Sequence, residues 1–416
     1  MMARTQSMRL SDQVELIRYC VDQRLDLEDE LLKMGSSYDD LQYKHNDLNE
    51  HLFSTDATYP IYRTLEDYDF PRHNIPVVSF FSGAGGMDLG FERAGFEHLA
   101  SIEVNELFCE TLRKNRNRWA VLGPPIHSGD VRNHDEFSHL LRQRLGITAP
   151  FDGVFHGGPP CQSFSVAANQ RFSKNGDNFK RTGFSHEQYG NLLFDYVWYI
   201  QQFKPRAFLI ENVAGLMDMD AGGQIAEAID ILESSGYDVT TPTILNAANH
   251  GVPQNRMRVF ICGSRTSHKV VLPQKDALLV PCHKAFEKPM FGLENHVTRE
   301  HRADSILRYM ELRYGQRDRL GRVDRLHPYL ASKTVIAGGA KGGGRSHLHP
   351  QIPRTLSVRE CARLQTFPDD YTFCGPSARQ FTQVGNAVPP LLAMKLARAI
   401  YESAYQGHYN PVEVPA

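Results

Sequence analysis

The chain contains no long hydrophobic run. None of its 416 residues belongs to an apolar stretch approaching the roughly 20 residues that a membrane-spanning helix needs. The N-terminus also lacks the short apolar segment of a secretory signal. We therefore expect no membrane partner and a cytoplasmic protein, associated with the nucleoid if the source is bacterial.

Cysteine is scarce and irregularly spaced. The seven cysteines are odd in number, and no two of them form a C-x-x-C pair. This spacing argues against a disulfide framework and against a structural zinc site, and it indicates a reducing compartment. We therefore expect no metal ion.

The chain also lacks a large net charge, at −2, but its charges are unevenly distributed. Residues 1–75 contain 8 Lys and Arg against 15 Asp and Glu, whereas residues 251–360 contain 20 against 9. A basic segment in a nearly neutral chain is typical of a surface that contacts phosphate backbones. An ordinary solvated surface is the alternative interpretation.

Apolar runs alternate with helical patterns between residues 75 and 263. The predicted strands are 75–81, 99–102, 151–155, 207–210, 239–245 and 259–262. This alternation predicts an α/β fold with a doubly wound, mainly parallel sheet. The pattern ends near residue 264, so residues 264–351 are predicted to form a smaller second domain, and residues 352–416 to rejoin the first.

Residues 1–74 are predicted to be a helical N-terminal extension followed by a linker. Apolar residues recur there at helical spacing, and they include Leu10, Val14, Ile17, Val21 and Leu25. The spacing favours an amphipathic docking helix over a long coiled coil. Self-association and docking on the rest of the chain both remain open for this helix.

A glycine-rich turn, residues 82–86, follows the first predicted strand. A strand–turn–helix unit of this kind lets backbone amides approach a ligand at a helix N-terminus. Glu103 ends the next strand 17 residues after Gly86, near the expected offset of a carboxylate that binds ribose hydroxyls. Asp130 is a further acid beyond it. Together the acids fit a bound adenosine, and a solvated loop acid is the alternative for either one alone.

The stretch GGPPCQSFS, residues 157–165, follows an apolar run and contains Cys161. The two prolines fix the backbone before the cysteine, and the end of a parallel strand is where open α/β sheets bind their ligands. A thiolate at this position would be a nucleophile. A small packed side chain is the alternative for Cys161 taken alone.

Six sequence blocks, in their order along the chain, resemble those of the DNA (cytosine-5) methyltransferases. They are FSGAGG at 81–86, GPPCQS at 158–163, ENV at 211–213, QNRMR at 254–258, RECARLQ at 359–365 and GNAV at 385–388. The resemblance covers about 75–263 and 352–402. It implies a class I methyltransferase fold with a catalytic domain at 75–263 plus 352–416 and a DNA-recognition domain at 264–351.

The resemblance implies covalent catalysis by Cys161, whose thiolate adds to carbon 6 of cytosine so that carbon 5 becomes nucleophilic. Glu211 is expected to hydrogen-bond the ring nitrogen 3 and the exocyclic amine, which requires burial to raise its pKa. Arg258 is expected to pair with Glu211 or to orient the base. Arg256 is expected to contact a phosphate or the cytosine carbonyl.

The implied methyl donor is S-adenosyl-L-methionine. Phe81 is expected to stack on its adenine, Gly83 and Gly85 to admit its methionine end, Glu103 to bind its ribose and Asp130 its adenine amine. The resemblance implies four further wall residues of the donor site, Pro160, Leu192, Asn386 and Val388.

The implied partner is double-stranded DNA. A cytosine inside a duplex is out of reach, so the target base must be flipped out of the helix. The basic residues after Cys161 are then expected to meet phosphates, and residues 264–351 to contact bases in the major groove. The recognition sequence, and whether the enzyme belongs to a restriction-modification system, remain open.

Three alternatives remain beside this interpretation. The same chemistry on tRNA is one, although the basic segment at 264–351 favours DNA. A cysteine hydrolase that uses His156 lacks a third group to orient the histidine. A catalytically silent DNA-binding regulator would not need both Cys161 and Glu211.

Overall fold

The computed structural model describes residues 8–46, 59–160, 192–217, 222–266, 268–337 and 347–406. The chain divides into two compact units, each assembled from separate stretches of sequence. The first, called the sheet unit here, comprises Arg63–His250, Arg256–Ala277 and Ala387–Ala416. The second, called the mixed unit, comprises Met1–Tyr62, Gly251–Asn255 and Leu278–Asn386.

The described strands of the sheet unit form a single sheet. They are β1 Pro76–Phe80, β2 Glu97–Ile102, β3 Ala120–Leu122, β4 Val154–Gly157, β5 Ala207–Val213, β6 Asp238–Val239, β7 Thr243–Asn246 and β8 Met257–Ser264. Their order is β3-β2-β1-β4-β5-β8-β6, and β7 pairs with β8.

Strands β1 to β5 run parallel to one another, whereas β8 runs antiparallel to β5, β6 and β7. Parallel strands are usually covered on both faces, so their sequences are nearly continuous apolar runs. In β1, for example, Val77, Val78 and Phe80 are all buried. The predicted α/β fold with a mainly parallel sheet is confirmed.

The predicted strand 239–245 is wrong in one respect, because the structure divides it into β6 and β7. Pro242 lies between them, and a proline cannot donate a hydrogen bond to a ladder. Thr240 still pairs with β8, since its amide donates to Cys262 O at 2.8 Å and its hydroxyl accepts from Cys262 N at 2.9 Å.

The helices of the sheet unit pack on the faces of its sheet. They are α3 Gly86–Arg93, α4 Glu106–Asn115, α5 His134–His139, α6 Leu192–Phe203, α7 Gly223–Ser234 and α11 Pro390–Tyr401. A Cβ atom added to Gly90 in α3 would lie 2.5 Å from the Cβ of Ala393 in α11. Glycine therefore permits the close approach of α3 and α11.

The mixed unit combines the N-terminal helices with a small sheet. Its helices are α1 Leu10–Gln23, α2 Leu27–Lys33, α8 Ala303–Met310, α9 Val358–Leu364 and α10 Ser377–Asn386. Its strands β9 Arg317–Asp318, β10 Val323–Arg325 and β11 His347–Leu348 are ordered β11-β10-β9. Ile17 and Leu31 share a buried core with Ile306 and Met310, so the N-terminal helices dock on α8.

Buried arginines hold the mixed unit together. The guanidinium of Arg325 lies over the rings of Tyr43 and Tyr314 and donates to the carbonyl of Pro350. Arg354 forms two bonds of 2.9 Å to the carboxylate of Glu360. Burial alone would raise the pKa of Glu360, but Arg354 lowers it to about 2.

No helix within the described ranges is both long and apolar enough to cross a membrane. The same part of the chain contains no group of three His, Cys, Asp or Glu side chains arranged to hold a metal ion.

We expect Glu360→Gln to lower the free energy of unfolding by about 3 kcal/mol near neutral pH, because the buried guanidinium of Arg354 would lose its counter-charge. Because the pKa of Glu360 is lowered by folding, its ionised carboxylate stabilises the fold at pH values above the ordinary glutamate pKa. This stability is lost as the pH falls through about 2. The variant should therefore lose less stability than the wild type on acidification. Urea denaturation followed by circular dichroism measures both effects.

Glu287 provides the matched control, since it is exposed and pairs with Lys284 in the same unit. Its change to Gln should alter the free energy of unfolding by less than about 0.5 kcal/mol. Equal losses in the two variants would contradict a special contribution from the buried pair.

Candidate functional site

The glycine turn after β1 meets the end of β2 through a hydrogen bond. The backbone N–H of Gly83 donates to Oε2 of Glu103 at 2.7 Å, and that of Asn105 donates to Oε1 at 2.7 Å. Gly83 has a φ of +56°, and nothing lies within 4 Å of a Cβ atom built on it. The turn therefore leaves open space on the outer side of Gly83.

Glu103 is buried, and two glycines pack so closely against its carbonyl oxygen that larger residues could not replace them. A Cβ atom on Gly123 would lie 2.1 Å from the Glu103 carbonyl oxygen, and one on Gly129 would lie 2.0 Å from it. Burial raises the pKa of the Glu103 carboxyl, and the backbone amides of Asn105 and Gly83 oppose this rise. The acid is thus held by main-chain donors rather than by a counter-ion.

The glycine turn also contacts a block from the far end of the sequence. Gly85 adopts a left-handed conformation, with φ +79°, at the start of α3. A Cβ atom on Gly86 would lie 2.3 Å from the carbonyl oxygen of Val388. Val388 therefore lies directly against the turn.

Three other predicted donor residues lie in different surroundings. Phe81, with φ +56°, is half-buried and makes an edge contact with Tyr196. Leu192 is a buried core residue at the start of α6. Asp130 is bound by Arg132, whose guanidinium donates at 2.6 Å and lowers the pKa of this carboxyl.

The carboxylate of Glu211 forms an ion pair with Arg258. In the antiparallel pairing of β5 with β8, Glu211 lies opposite Phe260 and Val213 lies opposite Arg258. Side chains two residues apart on a strand share a face, so this register brings the acid and Arg258 together. Arg258 Nε lies 3.0 Å from Glu211 Oε1, and the two side chains are only 17% and 12% exposed.

Arg256 adds a second buried guanidinium to this pair. Its backbone N–H donates to Oδ1 of Asn246 at 2.9 Å, which fixes the chain at the start of β8. Burial raises the pKa of Glu211, and the charges of Arg258 and Arg256 reduce this rise without cancelling it. Burial lowers the pKa of both guanidiniums. Glu211 therefore takes up a proton at a higher pH than an exposed glutamate does.

The loop after β4 lies against Glu211. A Cβ atom on Gly158 would lie 2.7 Å from Glu211 Oε2, and Asn212 Nδ2 donates to the carbonyl of Pro159 at 3.1 Å. The description of this loop ends at Pro160. Cys161, the predicted nucleophile, lies outside the described residues.

Asn386, the remaining predicted pocket residue, is exposed at the end of α10 in the mixed unit. Nearby motif residues in that unit bind one another: Gln254 Nε2 donates to Gln365 Oε1 at 2.9 Å, and Gln365 Nε2 donates to the Val384 carbonyl at 2.8 Å. Gln254 and Gln365 thus connect three separate blocks of sequence.

The profile of the C-5 cytosine-specific DNA methylases matches residues 75–298 and 294–402. The chain belongs to this family.

Curated relatives of this methylase agree with that assignment. The Type II methyltransferase M1.HphI of Haemophilus parahaemolyticus is 31% identical over 347 residues, which cover 79% of this chain and 87% of the relative. The Type II methyltransferase M.PspPI of Psychrobacter sp. is 31% identical over 362 residues, covering 79% of this chain and 80% of the relative.

Solved structures show the same fold as this methylase. A DNA modification methyltransferase encoded within an Escherichia coli prophage has a TM-score of 0.63 at 23% identity, covering 79% of this chain and 99% of that one. The methyltransferase EhMeth of Entamoeba histolytica has a TM-score of 0.54 at 15% identity, covering 80% and 99%. The predicted class I methyltransferase fold is confirmed.

The turn of the methylase has open space beside Gly83, and the Glu103 carboxylate offers hydrogen-bond acceptors next to it. Val104, an apolar residue that is not among the predicted site residues, follows Glu103 and is 57% exposed. Its exposure becomes apparent only in the structure.

We expect Arg258→Met to destabilise this methylase by about 3 kcal/mol where Glu211 is ionised, because a buried carboxylate would lose its closest counter-charge. The pKa of Glu211, already raised in the wild type, should rise further. A raised carboxyl pKa costs stability as the pH rises from the ordinary glutamate pKa to the raised one, so the stability deficit should grow over that range and then level off. Denaturation curves at several pH values measure this slope.

The double variant Glu211→Gln/Arg258→Met is the control, since it removes both charges. It should recover most of the lost stability and abolish the additional pH dependence. A deficit that is independent of pH, or one that the double variant retains, would contradict the coupling.

Proposed function

We propose that the protein is a DNA (cytosine-5) methyltransferase that transfers a methyl group from S-adenosyl-L-methionine to carbon 5 of a flipped cytosine in a specific duplex sequence. The observation that carries the proposal is the Glu211–Arg258 pair, which is largely buried and lies against the loop that leads to Cys161. Family membership supplies the reaction type, and this pair supplies an acid suited to it.

In the proposed reaction, the Cys161 thiolate attacks carbon 6 of the cytosine and forms a covalent bond. The ring thereby becomes an enamine whose carbon 5 can attack an electrophilic methyl group. Loss of the carbon 5 proton then expels the sulfur and restores the aromatic ring. Covalent attachment divides one difficult substitution into easier steps.

We propose that Glu211 stabilises the charge that this addition pushes into the ring. Its raised pKa favours a carboxyl that can donate a proton or a hydrogen bond to ring nitrogen 3. The pairing of β5 with β8 places Arg258 beside Glu211, and the ion pair holds the Glu211 side chain in position. Arg256, whose charge also faces Glu211, is assigned to the cytosine carbonyl or a phosphate.

The bound donor supplies the electrophilic methyl group. We assign its binding to the turn at Gly83 and Gly85, with the Glu103 carboxylate accepting from the ribose hydroxyls and Phe81 and Val104 contacting the adenine. Asp130 is assigned to the adenine amine, and Pro160, Leu192, Asn386 and Val388 to the pocket walls. The hydrogen bond from Gly83 to Glu103 supports this assignment, because it joins the two proposed contacts.

We assign target recognition to residues 264–351. The turn between β9 and β10 exposes Arg319, Leu320 and Arg322, a combination suited to phosphates and base edges. The docking of the N-terminal helices on α8 favours a supporting role for them over self-association. The type II names of the relatives favour a restriction-modification setting.

Methylation of DNA from expressing cells, mapped by bisulfite sequencing, tests the function and gives the target site. We expect Cys161→Ser to reduce labelled methyl incorporation by at least about a thousandfold, and Glu211→Gln by about a hundredfold or more. A duplex with 5-fluorocytosine at the target should trap wild-type protein covalently, because no carbon 5 proton can leave.

Transfer RNA and duplex DNA assayed side by side separate the proposal from the tRNA alternative. Incorporation into tRNA alone would overturn the DNA assignment, and a Cys161→Ser protein of full activity would overturn the covalent mechanism. Specific DNA binding without methylation or trapping would instead support a silent regulator.

We expect Glu103→Gln to weaken the binding of S-adenosyl-L-methionine about tenfold or more. The amide nitrogen of Gln cannot accept a hydrogen bond, so the backbone donors at Gly83 and Asn105 could not both be satisfied. Isothermal titration calorimetry measures the affinity. Glu97→Gln, at the exposed start of the same strand, is the control and should bind as the wild type does.

A further inference from the structure

A second buried carboxyl lies directly beneath the glycine turn. Asp88 occupies the first helical turn of α3 and is completely buried. Ser101 Oγ, on β2, donates to Asp88 Oδ1 at 3.0 Å. Burial raises the pKa of Asp88 to about 7, and the hydroxyls of Ser79 and Ser101 oppose this rise. No step of the proposed reaction uses this group.

A hydroxyl pair joins the turn to β1, and the Asp88 carboxyl joins the following helix to β2. Ser82, which immediately precedes Gly83, donates through Oγ to Ser79 Oγ at 2.8 Å. Asp88 lies in α3, which begins at the turn, and its partner Ser101 lies two residues before Glu103. Through Ser101, the carboxyl of Asp88 thus ties the helix that follows the turn to the strand that leads to Glu103.

The irregular pairing of β2 completes this network. The register between β1 and β2 shifts after His98, so that Val78 pairs with Ala100, and such a bulge brings His98 and Ser101 to one face. His98 Nε2 lies 2.8 Å from Ser101 Oγ and 3.5 Å from Asp88 Oδ1.

The titratable groups that face Asp88 supply no positive counter-charge. Burial holds the pKa of His98 well below its usual value, so its ring is neutral. Burial likewise lowers the pKa of His156, behind His98, to about 3. Glu103 adds a like charge. Asp88 is therefore held by neutral donors such as the Ser101 hydroxyl rather than by a counter-ion, which suits a role in fixing geometry.

We propose that Asp88 is a positioning residue of the methyl-donor site: through Ser101 it fixes α3, which begins at the Gly83 turn, against the Glu103 end of β2. The inference rests on the proposed function, because it assumes that the donor binds at this turn. It assigns Asp88 no contact with the donor or the cytosine.

Asp88→Leu removes the hydrogen bonds at similar volume and is the principal test. In the ligand-free protein, hydrogen–deuterium exchange at residues 82–86 should become about tenfold faster, because the turn loses its anchor. The dissociation constant and KM for S-adenosyl-L-methionine should rise about tenfold, with kcat at saturating donor and the KM for DNA unchanged. Asp88→Asn keeps an acceptor for Ser101 and should stay within about threefold of the wild type.

Tyr237→Phe is the matched control, because it removes a buried hydrogen bond to the Pro205 carbonyl elsewhere in the sheet unit. It should lower Tm and leave both the exchange at 82–86 and the donor affinity unchanged. If Asp88→Leu behaves in the same way, Asp88 is merely structural and the proposal is overturned. Should Asp88→Leu not fold, Ser101→Ala carries the same test with the same expected direction.

The exchange measurement separates this inference from the proposed function. A wild-type protein that binds no S-adenosyl-L-methionine would contradict the proposed donor. Exchange at 82–86 would still show whether Asp88 holds the turn. A wild type that binds the donor, with a variant that matches it in both exchange and affinity, would overturn the inference alone.

Discussion

The burial of the Glu211 carboxyl beside two arginines is the constraint on which the rest of the site depends. Burial raises the pKa of Glu211, and the guanidiniums of Arg258 and Arg256 lower it. The balance lets the carboxyl exist in both its protonated and its ionised form. Either arginine without the burial would make Glu211 a firmly ionised surface carboxylate. Burial without the arginines would leave an acid that seldom ionises.

The site contains three buried acids that the protein accommodates in three different ways. Glu211 is paired with Arg258, Glu103 accepts from backbone amides, and Asp88 accepts from the Ser101 hydroxyl. The strand order separates Glu103, which follows β2, from Glu211 on β5 by the two strands β1 and β4. Strands are about 4.8 Å apart, so the elements of the donor side and the base side span only about 14 Å.

The elements that could be predicted from sequence are those whose cause is local. The strand ending at Phe80 is a continuous apolar run, and the turn at Gly83 is marked by its glycines, so both were predicted close to their observed positions. Pairing with Glu211 was one of the two roles predicted for Arg258. The division of the strand 239–245 was missed, although Pro242 provides a local reason.

What could not be predicted depends on register and on contacts between distant segments. The contacts around Asp88 require the bulge in β2, and no residue in that strand predicts a bulge from the sequence. The contact of Val388 with Gly86 likewise becomes apparent only in three dimensions. Sequence spacing identified the acids, but the structure shows which donors surround each of them.

The motif residues of the chain divide into two groups according to where their hydrogen-bonding groups are used. Gln254 donates to Gln365 and accepts from the Val335 amide, and Arg359 donates to the carbonyls of Pro368 and Tyr371. These side chains form their hydrogen bonds within the mixed unit, where they hold loops together. The Glu211 carboxyl, by contrast, has one oxygen paired with Arg258 and the other against Gly158, beside the loop that leads to Cys161. A motif match therefore identifies the family, but only the surroundings of each polar group distinguish a scaffold residue from one available for chemistry.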